Sequence, residues 1–258
     1  MAPLPRIACF HGSGANSAVF EIQSSFLSSL LSDTLQLEFF DAPFPRAAGP
    51  GVLPAFEDYG PFASWFNLNT NSNHTGVGNS VDVDERGEID GSGYDDSGRD
   101  GVERAFRLMR ERSGVGKGEW VGVMGFSQGS RVAGGLLLDQ QRRESQEKES
   151  GILGGAGAGE GIDLRFGVMC MGGGRPMESE IGLKIENPDT TIRIPTLHLH
   201  GLKDEFLYLG REQLQKYYDP TTAKLYEINY HHAMPWVKAE SEELARLIKE
   251  LYHKTKKA

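Results

Sequence analysis

Cysteine is scarce in this sequence, since its 258 residues hold only two, Cys9 and Cys170. Each lies within a short apolar run that is typical of a buried strand, where a free thiol behaves as a small hydrophobic side chain. The sequence therefore offers no disulfide framework, and none of its Cys, His and Asp residues show metal-ligand spacing. We expect two inert core thiols, no metal and no other cofactor.

Basic residues are outnumbered, and long apolar runs are missing. The chain has 27 Lys and Arg residues against 36 Asp and Glu residues, a formal net charge of -9. An acidic surface repels nucleic-acid phosphates and anionic membranes, so we expect neither as a partner. No run approaches the roughly 18 apolar residues that span a bilayer, and the first residues lack the pattern of a secretory signal. These absences favour a cytoplasmic protein.

Strand-like and helix-like patterns alternate along the chain. Short apolar runs typical of buried strands begin with Arg6 to Phe10, and Ser17 to Leu31 shows the apolar spacing of three and four that predicts a helix. The last elements predicted are a strand over Ala223 to Ile228 and a helix over Trp236 to Tyr252. Such alternation predicts an α/β protein, with a doubly wound, mostly parallel sheet and helices on both faces. We interpret residues 1–258 as one domain.

Two polar stretches interrupt this alternation, at about residues 67–100 and about residues 140–161. The first is rich in Asn, Asp, Ser and Gly and cannot bury enough apolar surface to order itself. We expect either a solvated or partly mobile insertion or a lid that becomes ordered over a site. The second is charged and then rich in Gly and Ala, which predicts a solvent-exposed extension of the preceding helix followed by a flexible loop.

The segment Gly125 to Gly129 reads Gly-Phe-Ser-Gln-Gly, with an apolar strand before it and a helical pattern after it. This Gly-x-Ser-x-Gly pattern in a strand–turn–helix context is typical of the α/β-hydrolase fold. The sharp turn strains the serine backbone and needs glycine on both sides, and it presents the hydroxyl at a helix N-terminus. Ser127 is therefore predicted to be the nucleophile of a serine hydrolase.

A serine hydroxyl needs a base, and the base needs an acid that orients it. In this fold the acid follows the serine in the chain and lies after a later strand. Asp204 follows the predicted strand Thr196 to His200 and is the predicted acid, with Glu205 as the alternative.

The base should lie in the loop after the last strand, where His231 and His232 are adjacent. The sequence alone does not separate these two residues. The remaining histidines lie in the first loop, in the first polar stretch, in a strand and near the C-terminus: His11, His74, His198, His200 and His253.

Acyl transfer also requires hydrogen-bond donors aimed at the oxyanion. The backbone N–H of Gln128, which directly follows the predicted nucleophile, is one expected donor. The second is expected from the loop after the first strand, where Ser13 is the preferred residue in His11 to Gly14. The alternatives are a plain glycine turn or a dinucleotide-binding loop, and the latter lacks its third glycine because Ser17 stands in its place.

Several segments together resemble the fungal family of small serine hydrolases related to the human ovarian-tumour-associated serine hydrolase. The segments that carry the resemblance are Cys9 to Asn16, Asp41 to Pro43, Gly49 to Val52, Ser64 to Phe66, Gly125 to Gly129 and Tyr230 to Pro235. The last segment resembles the Gly-Gly-His-x-x-Pro motif of the family, although both glycines are replaced. The resemblance implies that His232 is the base and His231 its neighbour.

Many members of that family release or trim polyketide acyl chains held as thioesters. The resemblance therefore implies an acyl thioester or ester substrate, and an acyl carrier protein of a polyketide synthase as a possible partner. The aromatic residues between Phe44 and Phe66 suit either an apolar acyl pocket or the anchoring of a long loop, and we include Phe44, Trp65, Phe66 and His231 as candidate substrate contacts. A general carboxylesterase and a non-catalytic binding module are the alternative functions.

Overall fold

A parallel β-sheet forms the centre of the protein. The computed structural model describes residues 2–66, 101–150, 161–179, 182 and 189–256. Within these ranges the strands are β1 (Arg6–Phe10), β2 (Gln36–Phe40), β3 (Phe44–Arg46), β4 (Phe62–Ser64), β5 (Trp120–Phe126), β6 (Ile162–Cys170), β7 (Thr196–Gly201) and β8 (Ala223–Ile228). Six of them form the main sheet in the order β2-β1-β5-β6-β7-β8, while β3 and β4 pair as a separate antiparallel hairpin.

Every neighbouring pair of strands in the main sheet is parallel. The carboxyl ends of all six strands therefore lie at one edge of the sheet, which is where open α/β proteins bind their ligands. The loops after β1, β5, β7 and β8 meet at this edge, and they carry the residues predicted for catalysis.

Helices cover both faces of the sheet. They are α1 (Ser17–Gln23), α2 (Ser25–Leu31), α3 (Gly101–Glu111), α4 (Gly129–Ser150), α5 (Leu207–Tyr217) and α6 (Lys238–Thr255), with a 3-10 turn at Glu57–Tyr59. Successive residues of β1 point to opposite faces, with Ile7 in the core under α1, α2 and α6, and Ala8 in the core under α3, α4 and α5. A strand buried on both faces reads as a continuous apolar run, and this arrangement confirms the predicted doubly wound fold.

The helix predicted over Ser17 to Leu31 is divided in two. Asn16 caps α1 by accepting a hydrogen bond from the Val19 backbone N–H at 2.9 Å. The chain then leaves helical geometry at Ser24, which has φ -101° and ψ 4° and ends α1. Apolar spacing continues across this residue because both short helices face the same core, so the pattern gave no sign of the break.

The first residues of the second polar stretch are less exposed to solvent than predicted. Helix α4 continues to Ser150, but Gln140 and Arg142 are buried in it rather than solvent-exposed. The amide of Gln140 pairs with the backbone of Leu164 on β6 in both directions, at 2.9 Å and 2.8 Å. Arg142 forms a buried ion pair with Glu178. Residues 151–160 and the first polar stretch lie outside the described residues.

Both cysteines are buried and free. Burial raises the pKa of Cys170 to about 12 and that of Cys9 well above its ordinary value. A thiol held in its protonated form is a poor nucleophile, so both residues act as core side chains. No helix in the described ranges is long and apolar enough to cross a bilayer.

Candidate active site

Ser127 lies at the sharp turn between β5 and α4. Its φ angle is 52°, a left-handed conformation that is costly for a residue with a Cβ atom. The turn is tight because a Cβ atom on Gly125 would collide with the backbone of Gly129, and one on Gly129 would collide with the carbonyl of Phe10. The Ser127 N–H donates to the carbonyl of Cys170 at 2.9 Å, which ties the turn to the end of β6. The glycines predicted from the motif are thus required by backbone contacts.

Asp204 and His232 form a hydrogen-bonded pair at the same edge of the sheet. Asp204 Oδ2 lies 2.7 Å from His232 Nδ1, and the side chain of Asp204 is only 3% exposed. Asp204 Oδ1 accepts from the Phe206 backbone N–H at 2.8 Å, which fixes the orientation of the carboxylate. The rings of Phe126 and Phe206 flank the imidazole with centroids at 5.0 Å and 5.1 Å. This packing restricts the imidazole to one orientation, and Nε2 is the nitrogen that remains for another partner.

The two pairs of neighbouring candidates take different positions. His231 is exposed and its carbonyl accepts from the Ala233 N–H at 2.8 Å, whereas His232 is partly buried against the carboxylate. Glu205 is likewise exposed, and Asp204 is buried. The structure therefore brings together Asp204 and His232 and leaves His231 and Glu205 at the surface.

A cavity of about 710 Å³ opens above these residues. Ser127, Gln128, Ser13 and His232 all line it, so four of the residues predicted for catalysis share one space. Residues 46–52 form another part of its wall. The lining also includes Met171, Phe206 and Leu209, three apolar side chains that the sequence did not indicate. Met171 directly follows β6, and a position at the end of a central strand is the signal that could have identified it.

The predicted substrate contacts Phe44, Trp65, Phe66 and His231 do not line this cavity. Trp65 and Phe66 are buried in the core, where the Trp65 ring packs edge-on against that of Phe10 at 5.3 Å between centroids. Phe44 lies under the guanidinium of Arg104. Of the two interpretations offered for this aromatic segment, the structure supports the anchoring of a long loop for Trp65 and Phe66, because their rings lie in the core rather than in the cavity.

Trp65 instead belongs to a hydrogen-bond network behind the nucleophile. The Gln128 side-chain oxygen accepts from the Trp65 backbone N–H at 2.9 Å and from the Ser64 hydroxyl at 3.1 Å. These bonds tie the residue after the nucleophile to the end of β4. Sequence reasoning assigned Gln128 only a backbone role, although the joint presence of Ser64-Trp65 and Gly-Phe-Ser-Gln-Gly was a signal for this contact.

The fold is that of the α/β-hydrolases. Acyl-protein thioesterase 2 of Zea mays superimposes with a TM-score of 0.56 at 17% identity, covering 97% of this chain and 95% of that one. A carboxylesterase from Mesorhizobium loti superimposes with a TM-score of 0.53 at 12% identity, covering 95% of this chain and 88% of the other.

The family follows from sequence similarity. Residues 1–244 match the model of the family described as Serine hydrolase (FSH1), and the chain belongs to that family. The probable esterase azaC of Aspergillus niger is 34% identical over 234 residues, which are 90% of this chain and 79% of that protein. Esterase citA of Monascus ruber is 30% identical over an alignment of 270 residues, gaps included, that covers 98% of this chain and 94% of that protein. The protein is a serine hydrolase that acts on ester or thioester bonds.

Proposed function

We propose that this protein hydrolyses an acyl thioester or ester through a covalent acyl-enzyme, with Ser127 as nucleophile, His232 as base and Asp204 as the orienting acid. The observation that carries the proposal is the 2.7 Å contact between Asp204 Oδ2 and His232 Nδ1 beside the cavity that also holds Ser127. A carboxylate on Nδ1 selects the tautomer in which Nε2 is unprotonated, and only that nitrogen can take the serine proton.

The reaction takes two steps. Ser127 Oγ attacks the acyl carbonyl while His232 Nε2 accepts its proton, and Asp204 stabilises the imidazolium that forms. The imidazolium then returns the proton to the departing thiol or alcohol, which leaves the acyl group on Ser127. In the second step His232 deprotonates a water molecule as it attacks the acyl-enzyme, and the imidazolium then gives this proton to Ser127 Oγ as the acid is released.

Two backbone amides would stabilise the tetrahedral oxyanion in each step. The N–H of Gln128 precedes the first turn of α4, where the helix dipole favours negative charge. Ser13 lines the same cavity from the loop after β1. Removal of one such donor typically slows an acyl transfer by about 10²- to 10³-fold, so these amides would supply a large part of the rate.

The substrate we propose is a polyketide acyl chain held as a thioester on an acyl carrier protein, or an ester derived from one. The segment Gly49 to Val52, one of those that carry the resemblance to the fungal family, supports this assignment, since it lines the cavity itself. A cavity of about 710 Å³ with Met171, Phe206 and Leu209 in its wall suits an acyl chain much larger than acetyl.

Covalent labelling tests the proposed nucleophile. After treatment with a fluorophosphonate, intact mass spectrometry should show one adduct on the wild type and none on Ser127→Ala, because only an activated serine reacts. Ser130→Ala is the matched control, since Ser130 is buried in the same turn but does not line the cavity, and it should still be labelled. An unlabelled wild type would instead favour a binding module.

Competing substrates test the proposed acyl group. We expect kcat/KM for a long-chain acyl thioester on a carrier protein to exceed that for p-nitrophenyl acetate by at least about tenfold, because the longer chain buries more apolar surface in the cavity. The same acyl chain on free pantetheine separates the contribution of the carrier protein from that of the chain. Equal or faster turnover of the acetate ester would make the protein a general carboxylesterase.

A further inference from the structure

His11 is fully buried behind the nucleophile and has no role in the chemistry proposed above. Its side chain makes two hydrogen bonds to backbone groups, one in its own loop and one in the loop after β2. The Ala42 N–H lies 3.0 Å from His11 Nε2, and His11 Nδ1 lies 2.7 Å from the carbonyl oxygen of Gly12. His11 does not line the cavity, although Gly12 and Ser13 do. The imidazole therefore contacts the peptide between Gly12 and Ser13 from outside the cavity.

These two partners determine which nitrogen of His11 carries the proton. A backbone N–H can only donate, so Nε2 must accept from Ala42 and cannot itself be protonated. Nδ1 then carries the hydrogen and donates it to the Gly12 carbonyl. Burial lowers the pKa of His11 to about 4, so the ring is neutral at pH 7 and keeps this tautomer. The contact to Gly12 is thus a directed hydrogen bond.

The Gly12 carbonyl belongs to the same peptide unit as the Ser13 N–H. In a planar trans peptide the carbonyl and the N–H point in opposite directions, so holding the oxygen on one side directs the N–H to the other. A Cβ atom on Gly12 would lie 3.2 Å from the Ser127 Cβ, which shows how closely this peptide approaches the nucleophile. Glycine gives the backbone wide rotational freedom, and the bond from His11 restricts it.

A second bond holds the preceding peptide of the same loop. The Trp65 indole N–H donates to the carbonyl of His11 at 2.9 Å, and the Trp65 backbone N–H donates to the side chain of Gln128 at 2.9 Å. One network therefore supports both residues whose amides are expected at the oxyanion, Ser13 and Gln128. It connects the loops after β1, β2 and β5 with the end of β4.

We propose that His11 is a positioning residue whose Nδ1–H holds the Gly12 carbonyl so that the Ser13 amide faces the oxyanion. The inference rests on the proposed acyl-enzyme chemistry, and it adds a residue that touches neither the substrate nor the reacting atoms. It places the effect on kcat, since the oxyanion forms in the tetrahedral intermediates and the transition states that lead to them and is absent from the bound substrate.

Two amide substitutions separate the two hydrogen bonds of His11. The short amide of asparagine can replace Nδ1 and donate to Gly12, while the longer amide of glutamine reaches the position of Nε2 and leaves Gly12 without a donor. We expect His11→Gln to lower kcat for p-nitrophenyl butyrate by about 10- to 100-fold with KM within about threefold of the wild type. We expect His11→Asn to retain most of kcat. Inhibition by a trifluoromethyl ketone, whose adduct carries an oxyanion, should weaken in the glutamine variant alone.

His198→Gln is the matched control because His198 is another fully buried histidine, on β7 and outside the cavity. It should lower stability without changing kcat. A glutamine variant at position 11 with wild-type kcat would overturn the proposal, as would equal losses in the asparagine and glutamine variants. Failure of the underlying acyl-enzyme chemistry would appear separately, as a wild type that no fluorophosphonate labels.

Nitrogen-15 NMR of the wild type tests the same proposal without turnover or variants. The His11 ring should be neutral and protonated on Nδ1 from pH 8 down to about pH 5, because its pKa is lowered to about 4. A proton on Nε2, or a charged ring at pH 7, would contradict the assignment.

Discussion

Replacement of His232 by alanine is expected to reduce kcat by about 10⁵- to 10⁶-fold while KM changes little, because the serine then has no base in reach. The loss should be this large because Asp204 Oδ2, only 2.7 Å from His232 Nδ1, orients a single imidazole toward the cavity. Steady-state hydrolysis of p-nitrophenyl butyrate measures the effect. Fluorophosphonate labelling of Ser127 should slow by a comparable factor, since the probe reacts with the same activated oxygen.

His231→Ala is the matched control for this substitution. The residue is adjacent in sequence and equally a histidine, but its side chain is exposed and does not line the cavity. It should retain kcat within about threefold of the wild type, as surface substitutions commonly do. If His231→Ala abolished turnover and His232→Ala did not, the base would be assigned to the wrong residue.

The contrast between these two histidines shows where sequence reasoning reached its limit. The order of serine, acid and histidine placed the base in the loop after β8, but residue spacing cannot orient two adjacent side chains in an irregular loop. The resemblance to the family favoured His232. The structure adds the physical distinction, a buried carboxylate on one imidazole and solvent around the other.

The sheet could be predicted more fully than the cavity wall. Strands Arg6–Phe10 and Ala223–Ile228 both have the predicted bounds. In the first, burial on both faces leaves a continuous apolar signal, whereas the second is a largely exposed strand at the edge of the sheet. The segment from Phe44 to Phe66 has no periodicity. Its aromatic composition indicated that rings would be buried, but not whether they would face the core or the cavity. Trp65 was therefore predicted as a substrate contact. In the structure its indole N–H donates to the His11 carbonyl and its ring lies in the core.

Replacement of Asp204 by asparagine is expected to lower kcat by about 10³- to 10⁴-fold with little change in KM. Asp204 Oδ1 accepts from the Phe206 N–H at 2.8 Å, so an asparagine that keeps this bond must turn its NH₂ group toward His232. Two donors cannot face each other, so the imidazole would give up its Nδ1 proton and carry the hydrogen on Nε2 instead. In that tautomer Nε2 cannot accept the proton of Ser127. The pH–rate profile and kcat for p-nitrophenyl butyrate measure the loss.

Glu205→Gln distinguishes this effect from a general loss of negative charge near the histidine. Both substitutions remove one carboxylate from the same loop, but Glu205 is exposed and Asp204 is 3% exposed at its side chain. The exposed variant should keep nearly all activity, because solvent screens its charge and it orients no catalytic group. A larger loss in Glu205→Gln than in Asp204→Asn would make Glu205 the orienting acid. Equal small losses in both would mean that His232 is held in its reactive tautomer without a carboxylate.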